Sequence, residues 1–130
     1  MERGPVNPGS LARPVGYSHG IRAQGELLFV AGQIGAGQDG TLISDDLVAQ
    51  FAQALENVLE VVHAAGGKPE AVARLTLYVT DKADYRRRRK ALGEAYRKRM
   101  GRHYPAMTLV EVKSLLDDAA KVEIEATAVL

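Results

Sequence analysis

Apolar residues recur at helical spacing along one long stretch in the first half of the chain. They lie three or four positions apart and stop at Gly66-Gly67: Leu47, Phe51, Leu55, Val58, Val62 and Ala65. That spacing keeps the side chains on one face of a helix with 3.6 residues per turn. Ser44 precedes the stretch as an N-cap, and Asp45 and Asp46 place negative charge in the first turn. The pattern therefore predicts a long amphipathic helix.

The region before this helix has the pattern of two short strands. Residues 17–24 and 27–33 are apolar runs on either side of Gly25-Glu26, and such a spacing predicts a hairpin. Several glycines and the turn dipeptide Asp39-Gly40 then predict a loop that leads into the helix.

The second half of the chain predicts three more strands and one more helix. Residues 72–80 and 121–129 alternate and are rich in β-branched side chains, and residues 107–112 follow a proline. A helix over residues 81–100 ends at Gly101, as helix C-termini commonly do. The order β-β-α-β-α-β-β predicts two helices packed on one mixed sheet of four or five strands, a two-layer α+β domain.

Composition and length narrow the class of protein. The 130 residues are 46% hydrophobic and 25% charged, with a net charge of +1. These values predict one soluble domain over residues 14–130, preceded by a flexible arm over residues 1–13. That arm has no apolar segment, so we expect neither a signal peptide nor a membrane anchor and take the cytoplasm as the default location.

The residue types present in the sequence argue against several kinds of catalytic and binding site. Cysteine is absent, which excludes disulfides, thiolate metal sites and a cysteine nucleophile. His19, His63 and His103 do not have the spacing of metal ligands, so we expect no metal. A basic run over residues 86–90 favours a solvated helix face, and without aromatic stacking residues it does not predict a specific nucleic-acid partner.

The predicted sheet has two faces, and the two predicted helices can cover only one of them. In the last strand one face is apolar and the other is polar, because side chains alternate. The polar positions here and in the third strand are Lys121, Glu123, Glu125 and Thr127, and Arg74, Thr76, Tyr78 and Thr80. Such a face is either solvated, as in many antiparallel sheets, or the wall of an oligomeric barrel. Leu109 joins this face if Glu111 also lies there.

A series of short motifs resembles the Rid (reactive intermediate deaminase, YjgF-type) family in order and spacing. The motifs cover nearly the whole chain from Tyr17 onwards: Gly16-Tyr17-Ser18-His19, Leu28-Phe29-Val30-Ala31-Gly32-Gln33-Ile34, Asn57-Val58-Leu59, Ala64-Ala65-Gly66-Gly67, Leu77-Tyr78-Val79-Thr80-Asp81, Tyr104-Pro105-Ala106, Val110-Glu111-Val112 and Val122-Glu123-Ile124-Glu125-Ala126. The resemblance implies a chorismate-mutase-like fold and a homotrimer whose sheets form a central barrel, with a cleft at each subunit interface. It also implies hydrolysis of enamines and imines such as 2-aminoacrylate, without a metal or a bound cofactor.

The resemblance assigns roles to individual residues. Glu123 positions or activates the attacking water, Tyr17 lines the cleft and supports proton transfer, and the backbone of Gly32 approaches the ligand. For each residue the alternative is structural: an exposed strand carboxylate, a packed tyrosine and a bulge glycine.

One position departs from the family pattern. Deaminating members carry an arginine after Pro-Ala that binds the substrate carboxylate with both arms of its guanidinium. Here that position is Met107, so the usual 2-imino acid substrate is in doubt. Arg88 or Arg89 is a candidate replacement clamp, and the alternative for both is a solvated basic face.

Two further residues are candidate substrate contacts. Leu109 is the first, because it lies two residues after Met107 in the same predicted strand. His19 is the second: it stands where the family often has glutamine and could carry a proton near neutral pH. For His19 the alternative is a structural histidine. The leading hypothesis is therefore an imine or enamine hydrolase with an altered substrate. The alternatives are a non-catalytic trimer that binds a small metabolite and, third, an RNA-interacting or ribonuclease protein.

Overall fold

The computed structural model describes residues 3–130 and contains a four-stranded mixed sheet with α-helices on one face. The strands of this sheet are β3 (Leu27–Gln33), β4 (Val72–Val79), β5 (Ala106–Glu111) and β6 (Val122–Val129). Their spatial order is β3-β6-β4-β5, with β6 antiparallel to both neighbours and β5 parallel to β4. The predicted two-layer α+β fold with a mixed sheet is confirmed.

The first helix, α1 (Leu47–Ala64), begins later than its sequence pattern predicts. The N-cap is Asp46 and not Ser44, because the Asp46 carboxylate accepts a hydrogen bond from the Ala49 backbone N–H at 3.1 Å. The Ser44 hydroxyl accepts from the Asp46 N–H at 3.0 Å and so supports the cap from outside the helix. The Ala49 N–H first, and then the Arg88 guanidinium, lower the pKa of Asp46.

The predicted second helix is two helices in the structure. These are α2 (Lys82–Arg87) and α3 (Arg89–Met100), and they meet at Arg88. The Arg88 backbone leaves the helical region, and its N–H is shared between the carbonyls of Asp84 and Tyr85. Its side chain turns towards α1 and pairs with Asp46 at 3.0 Å. The break therefore follows from a contact distant in sequence.

The core lies between the sheet and the helices. The last strand, β6, turns its apolar face towards it, as the alternation of its residues predicts. Val122, Ile124, Ala126 and Ala128 are all buried. In β4 the buried residues Val72 and Leu75 differ in parity, and a register shift between Val72 and Arg74 accounts for this. Gln50 of α1 is a fully buried polar residue, and its side chain makes three hydrogen bonds to backbone groups.

The predicted hairpin of residues 17–24 and 27–33 is wrong. The strand in the first segment is β2 (Gly20–Arg22), and it pairs with β1 (Gly4–Val6) instead of β3. Ser18 explains the difference, because its N–H donates to the Pro105 carbonyl at 3.0 Å and ties the segment to the start of β5. The strands β5 and β3 form opposite edges of the sheet, so residues 17–24 cannot pair with β3.

The strand β1 falls within the predicted flexible arm of residues 1–13, and at Gly4–Val6 that prediction is wrong, since this strand pairs with β2. Met1 and Glu2 of the arm lie outside the described residues. Within residues 3–130, none of the helices is long and apolar enough to cross a membrane.

Candidate functional site

A large cavity opens between the β5 side of the sheet and the helices. Its volume is about 1130 Å³, and its walls come from β4, β5, α1, α2 and α3 and from the segment that includes Arg13 and Tyr17. Four of the residues that sequence analysis singled out line it: Tyr17, Arg89, Met107 and Leu109. We refer to it below as the main cavity.

Tyr17 reaches the main cavity because its neighbour Ser18 is hydrogen-bonded to the two residues directly before β5. Ser18 is buried, and its hydroxyl donates to the Tyr104 carbonyl at 2.5 Å. Sequence reasoning did not single out Ser18, and a lone serine in a strand-like run gives no local signal of an anchor. Its two hydrogen bonds set where the Tyr17 side chain emerges beside β5.

His19 supports the N-terminal segment and does not line the main cavity. One ring nitrogen, Nε2, lies 2.7 Å from the Ala12 carbonyl oxygen, and the His19 N–H donates to the Asn7 side chain at 2.8 Å. Its ring also packs edge-on against Tyr17 with 5.3 Å between ring centroids. In the single chain His19 therefore packs against Tyr17, and its role as a substrate contact stays a prediction.

Met107 and Leu109 form an apolar part of the cavity wall. In the parallel register of β4 and β5 they lie beside Leu75 and Leu77, which are buried in the core. Leu109 and Glu111 thus point to the helix side of the sheet, so the condition under which Leu109 would join the polar face is not met. The sequence could not fix this parity, because β5 is short and its register depends on β4.

Glu123 lies on the sheet face that points away from the helices, which we call the outer face: Leu27, Phe29, Arg74, Thr76, Tyr78, Thr108, Val110, Glu123, Glu125 and Thr127. Its side chain lies against Gly32 of β3, and a Cβ at position 32 would overlap the Glu123 carboxylate. The absence of a side chain at Gly32 therefore gives this carboxylate its space. Glu123 and Gly32 are therefore direct neighbours in the single chain.

Tyr78 and Glu125 form a second polar contact on the outer face. The Tyr78 hydroxyl donates to a Glu125 carboxylate oxygen at 2.6 Å. This hydrogen bond is the main cause of the raised pKa of Tyr78, since loss of the phenol proton would break it. Glu125 is thereby held as a hydrogen-bond acceptor, whereas Glu123 makes no side-chain hydrogen bond within the described residues.

The candidate residues thus form two groups that one chain does not bring together. Tyr17, Met107 and Leu109 lie on the helix side of the sheet, whereas Glu123 and Gly32 lie on the outer face and do not line the main cavity. A site that uses both groups needs a second copy of the chain to bring one group opposite the other.

The arginines of α2 and α3 divide into paired and cavity-lining residues. Arg87 pairs with Asp84, Arg88 with Asp46 and Arg99 with Glu56, at 2.9 to 3.1 Å. None of these three lines the main cavity, whereas Arg86, Arg89 and Arg97 do. Of the two candidate clamps, Arg88 is therefore committed to α1, and Arg89 has access to the cavity.

Tyrosines give the main cavity an aromatic lining. Tyr96 and Tyr104 stack with their ring centroids 5.4 Å apart, and the Tyr96 hydroxyl donates to the His103 carbonyl at 2.7 Å. Burial raises the pKa of Tyr96, and the neighbouring phenols of Tyr104 and Tyr85 add to the effect. Burial also raises the pKa of Tyr85, while the positive charge of Arg89 opposes this shift.

The remaining histidines have structural or surface positions. His103 places Nε2 2.6 Å from the Val72 carbonyl oxygen, and His63 is exposed on α1. No group of three or more metal-ligating side chains occurs within residues 3–130.

The sequence matches known proteins along most of its length. The sequence profile of the endoribonuclease L-PSP family matches residues 10–130. The RutC family protein PH0854 of Pyrococcus horikoshii is 36% identical over 118 residues, which cover 89% of each chain. A protein of Salmonella typhimurium named 2-iminobutanoate/2-iminopropanoate deaminase is 36% identical over 105 residues, 81% of this chain and 80% of the relative.

The fold also matches solved structures. YyfB of Yersinia pestis, described as a protein of unknown function of the conserved Rid family, superposes with a TM-score of 0.87. It is 33% identical in sequence, and the alignment covers 100% of both chains.

Proposed function

This chain belongs to the Rid (YjgF-type, endoribonuclease L-PSP) family, and we propose that it hydrolyses a reactive enamine or imine to a carbonyl compound and ammonia. The Salmonella typhimurium relative named as an imine deaminase supports this reaction class. The observation that carries the proposal is the Glu123 carboxylate, which occupies the space left by Gly32 of the edge strand β3 and makes no side-chain hydrogen bond within the described residues.

The reaction adds water across the carbon–nitrogen double bond, an enamine first becoming its imine tautomer. Glu123 takes a proton from water while the water oxygen attacks the imine carbon, and the imine nitrogen gains a proton. The carbinolamine then expels ammonia as the carbonyl forms, so that one water is consumed and one ammonia released. Tyr17 supports the proton transfer from the opposite wall through its hydroxyl group.

Met107 gives the proposed enzyme a substrate preference different from that of relatives with an arginine at this position. A methionine thioether cannot form the paired hydrogen bonds by which a guanidinium holds a carboxylate. Substrates that depend on this contact, such as the smallest 2-imino acids, are therefore expected to bind weakly.

We also propose a homotrimer in which the outer faces meet and Glu123 of one chain faces the main cavity of the next. Three large apolar side chains on the outer face support an interface there, since Phe29 is 74%, Leu27 58% and Val110 40% exposed in the single chain. Assembly would bury these residues and close a cleft around the two groups of candidate residues.

Sedimentation tests the assembly. The wild-type protein is expected to sediment at micromolar concentration as three copies of the 14.0 kDa chain. Phe29→Glu is expected to shift it towards single chains, because a carboxylate in a packed apolar interface loses its hydration without a partner. Leu116→Glu is the control, since Leu116 is fully exposed and lies in the loop between β5 and β6. A wild type that sediments only as single chains would contradict the proposed cleft.

Ammonia release tests the reaction. Imines and enamines of small and large 2-oxo acids are generated in situ by a pyridoxal-phosphate lyase or an amino acid oxidase, with and without the protein. We expect faster ammonia release from at least one of them, above spontaneous hydrolysis. If every imine hydrolyses at its spontaneous rate but ligands still raise the unfolding temperature, the chain is instead a metabolite-binding module.

A further inference from the structure

The charges around the main cavity are unbalanced. One carboxylate, that of Glu111, lines it. The basic side chains that line it are five: Arg13, Lys82, Arg86, Arg89 and Arg97. The Glu111 carboxylate accepts a hydrogen bond from the Lys82 backbone N–H at 2.9 Å. Within residues 3–130 no carboxylate pairs with the three cavity-lining arginines of α2 and α3. A concentration of unpaired cations at a concave surface favours an anionic ligand.

The wall opposite these cations cannot hold the anionic group. Met107 and Leu109 of β5 contribute thioether and aliphatic surface there. A carboxylate placed against this wall would lose water and gain no hydrogen bond, which is strongly unfavourable. The anionic group of a ligand therefore belongs on the α2–α3 side, with the rest of the ligand against β5.

The arginines on that side are presented by the helix itself. Arg89, Gly93 and Arg97 are four residues apart and share one face of α3. A Cβ at Gly93 would come within 3.1 Å of an Arg97 guanidinium nitrogen, so this side chain folds back over the glycine. Tyr85, four residues before Arg89, brings an aromatic ring into the same part of the cavity.

We infer that the main cavity selects carboxylate ligands with an aromatic or extended apolar body, held by Arg89 with Arg86 and Arg97 and packed against Met107 and Leu109. The substrate class that follows rests on the proposed function: imines of large 2-oxo acids, not those of pyruvate. In relatives with an arginine at the position of Met107, β5 holds the substrate carboxylate. Here α3 holds it instead, and this difference determines the substrate specificity. Tyr17 and Tyr85 supply flat surfaces for the ligand body.

Binding of unreactive 2-oxo acids to the purified full chain tests this without any turnover. Isothermal titration compares 2-oxo-4-phenylbutanoate with pyruvate, which lacks the body, and with 4-phenyl-2-butanone, which lacks the carboxylate. We expect the first ligand to bind about tenfold or more tightly than either of the others, since it alone uses both walls. Equal affinities for 2-oxo-4-phenylbutanoate and pyruvate would overturn the inference.

Three variants locate the contact. Arg89→Gln is expected to weaken 2-oxo-4-phenylbutanoate about tenfold through loss of a charge-assisted hydrogen bond. Arg87→Gln, whose guanidinium pairs with Asp84 outside the cavity, is the matched control and should leave the affinity unchanged. Met107→Arg should raise the affinity for pyruvate by placing a cation on β5. An Arg89→Gln affinity within twofold of the wild type would overturn the assignment.

The outcomes separate this inference from the proposed reaction. Tight binding of 2-oxo-4-phenylbutanoate without ammonia release from any imine would support the ligand class and contradict the enzyme. Ammonia release from the imine of pyruvate, with no preference for the larger ligand, would support the enzyme and contradict the ligand class.

Discussion

Glu123→Gln is expected to lower the rate of ammonia release by about 100-fold or more, the range typical of removing a general base. Glutamine has almost the same shape as glutamate, so the space beside Gly32 stays filled and the fold is preserved. The amide cannot accept a proton from water, however, so the attacking water loses its base. We expect kcat to fall while KM changes little, because the lost interaction belongs to the transition state.

Glu125→Gln is the matched control for this variant. Glu125 is two residues away on the same outer face, but its carboxylate already accepts the Tyr78 hydroxyl hydrogen bond. Its replacement should change the rate by no more than a few fold. If Glu123→Gln retains a third or more of the wild-type rate, Glu123 is not the base, and a large loss in Glu125→Gln alone would assign the role to its neighbour.

Gln50→Glu is expected to have the largest effect on stability. Gln50 is fully buried in α1, and its amide nitrogen donates to the carbonyls of Ser44 at 2.9 Å and Ala119 at 3.2 Å. Its amide oxygen accepts from the Lys121 N–H at 2.8 Å. A carboxylate keeps that acceptor but places negative charge against two carbonyl oxygens without water. We expect a loss of roughly 3–5 kcal/mol of unfolding free energy.

The pH dependence of this loss distinguishes charge from shape. The buried carboxyl group that Gln50→Glu introduces would have a pKa raised above the ordinary glutamate value of about 4.3. The folded state then binds the proton more tightly than the unfolded state, so stability rises as the pH falls from 7 towards 5. Thermal and denaturant unfolding at both pH values measures this against the wild type at equal protein concentration. Gln38→Glu adds the same charge at an exposed loop position and should have little effect.

An equal loss at both pH values would mean that the shape of the side chain, and not its charge, destabilises the variant. A loss below about 1 kcal/mol would mean that the loops around Ser44 and Ala119 relax to let water reach the carboxylate.

The parts of the fold with local signals could be predicted from the sequence. The apolar spacing of α1 and the strict alternation of β6 each reflect burial of one face, and both elements are present with the predicted face inside. The predictions that were wrong concern features that depend on contacts between residues far apart in sequence. The break at Arg88 accompanies its pair with Asp46, 42 residues earlier, and the true partner of β2 follows from Ser18 reaching Tyr104, 86 residues later.

The candidate site was predicted in part for the same reason. Alternation placed Glu123 opposite the core, and the family resemblance selected Tyr17 and Met107. The choice between Arg88 and Arg89 needed the structure, because adjacent residues on a helix differ by about 100° in direction and the sequence does not say which one faces the cavity. The parity of β5 also depended on its pairing with β4.

The position of β6 affects how the protein acquires its structure during synthesis. This strand follows all the others in sequence, yet it lies between β3 and β4 and joins them into one sheet. Until residues 122–129 leave the ribosome, β3 has no partner strand in that sheet. The apolar face of α1 then also lacks β6, the strand against which it packs. The nascent polypeptide therefore exposes unpaired strand edges until β6 has been synthesised, and chaperones that cover such edges would assist its maturation.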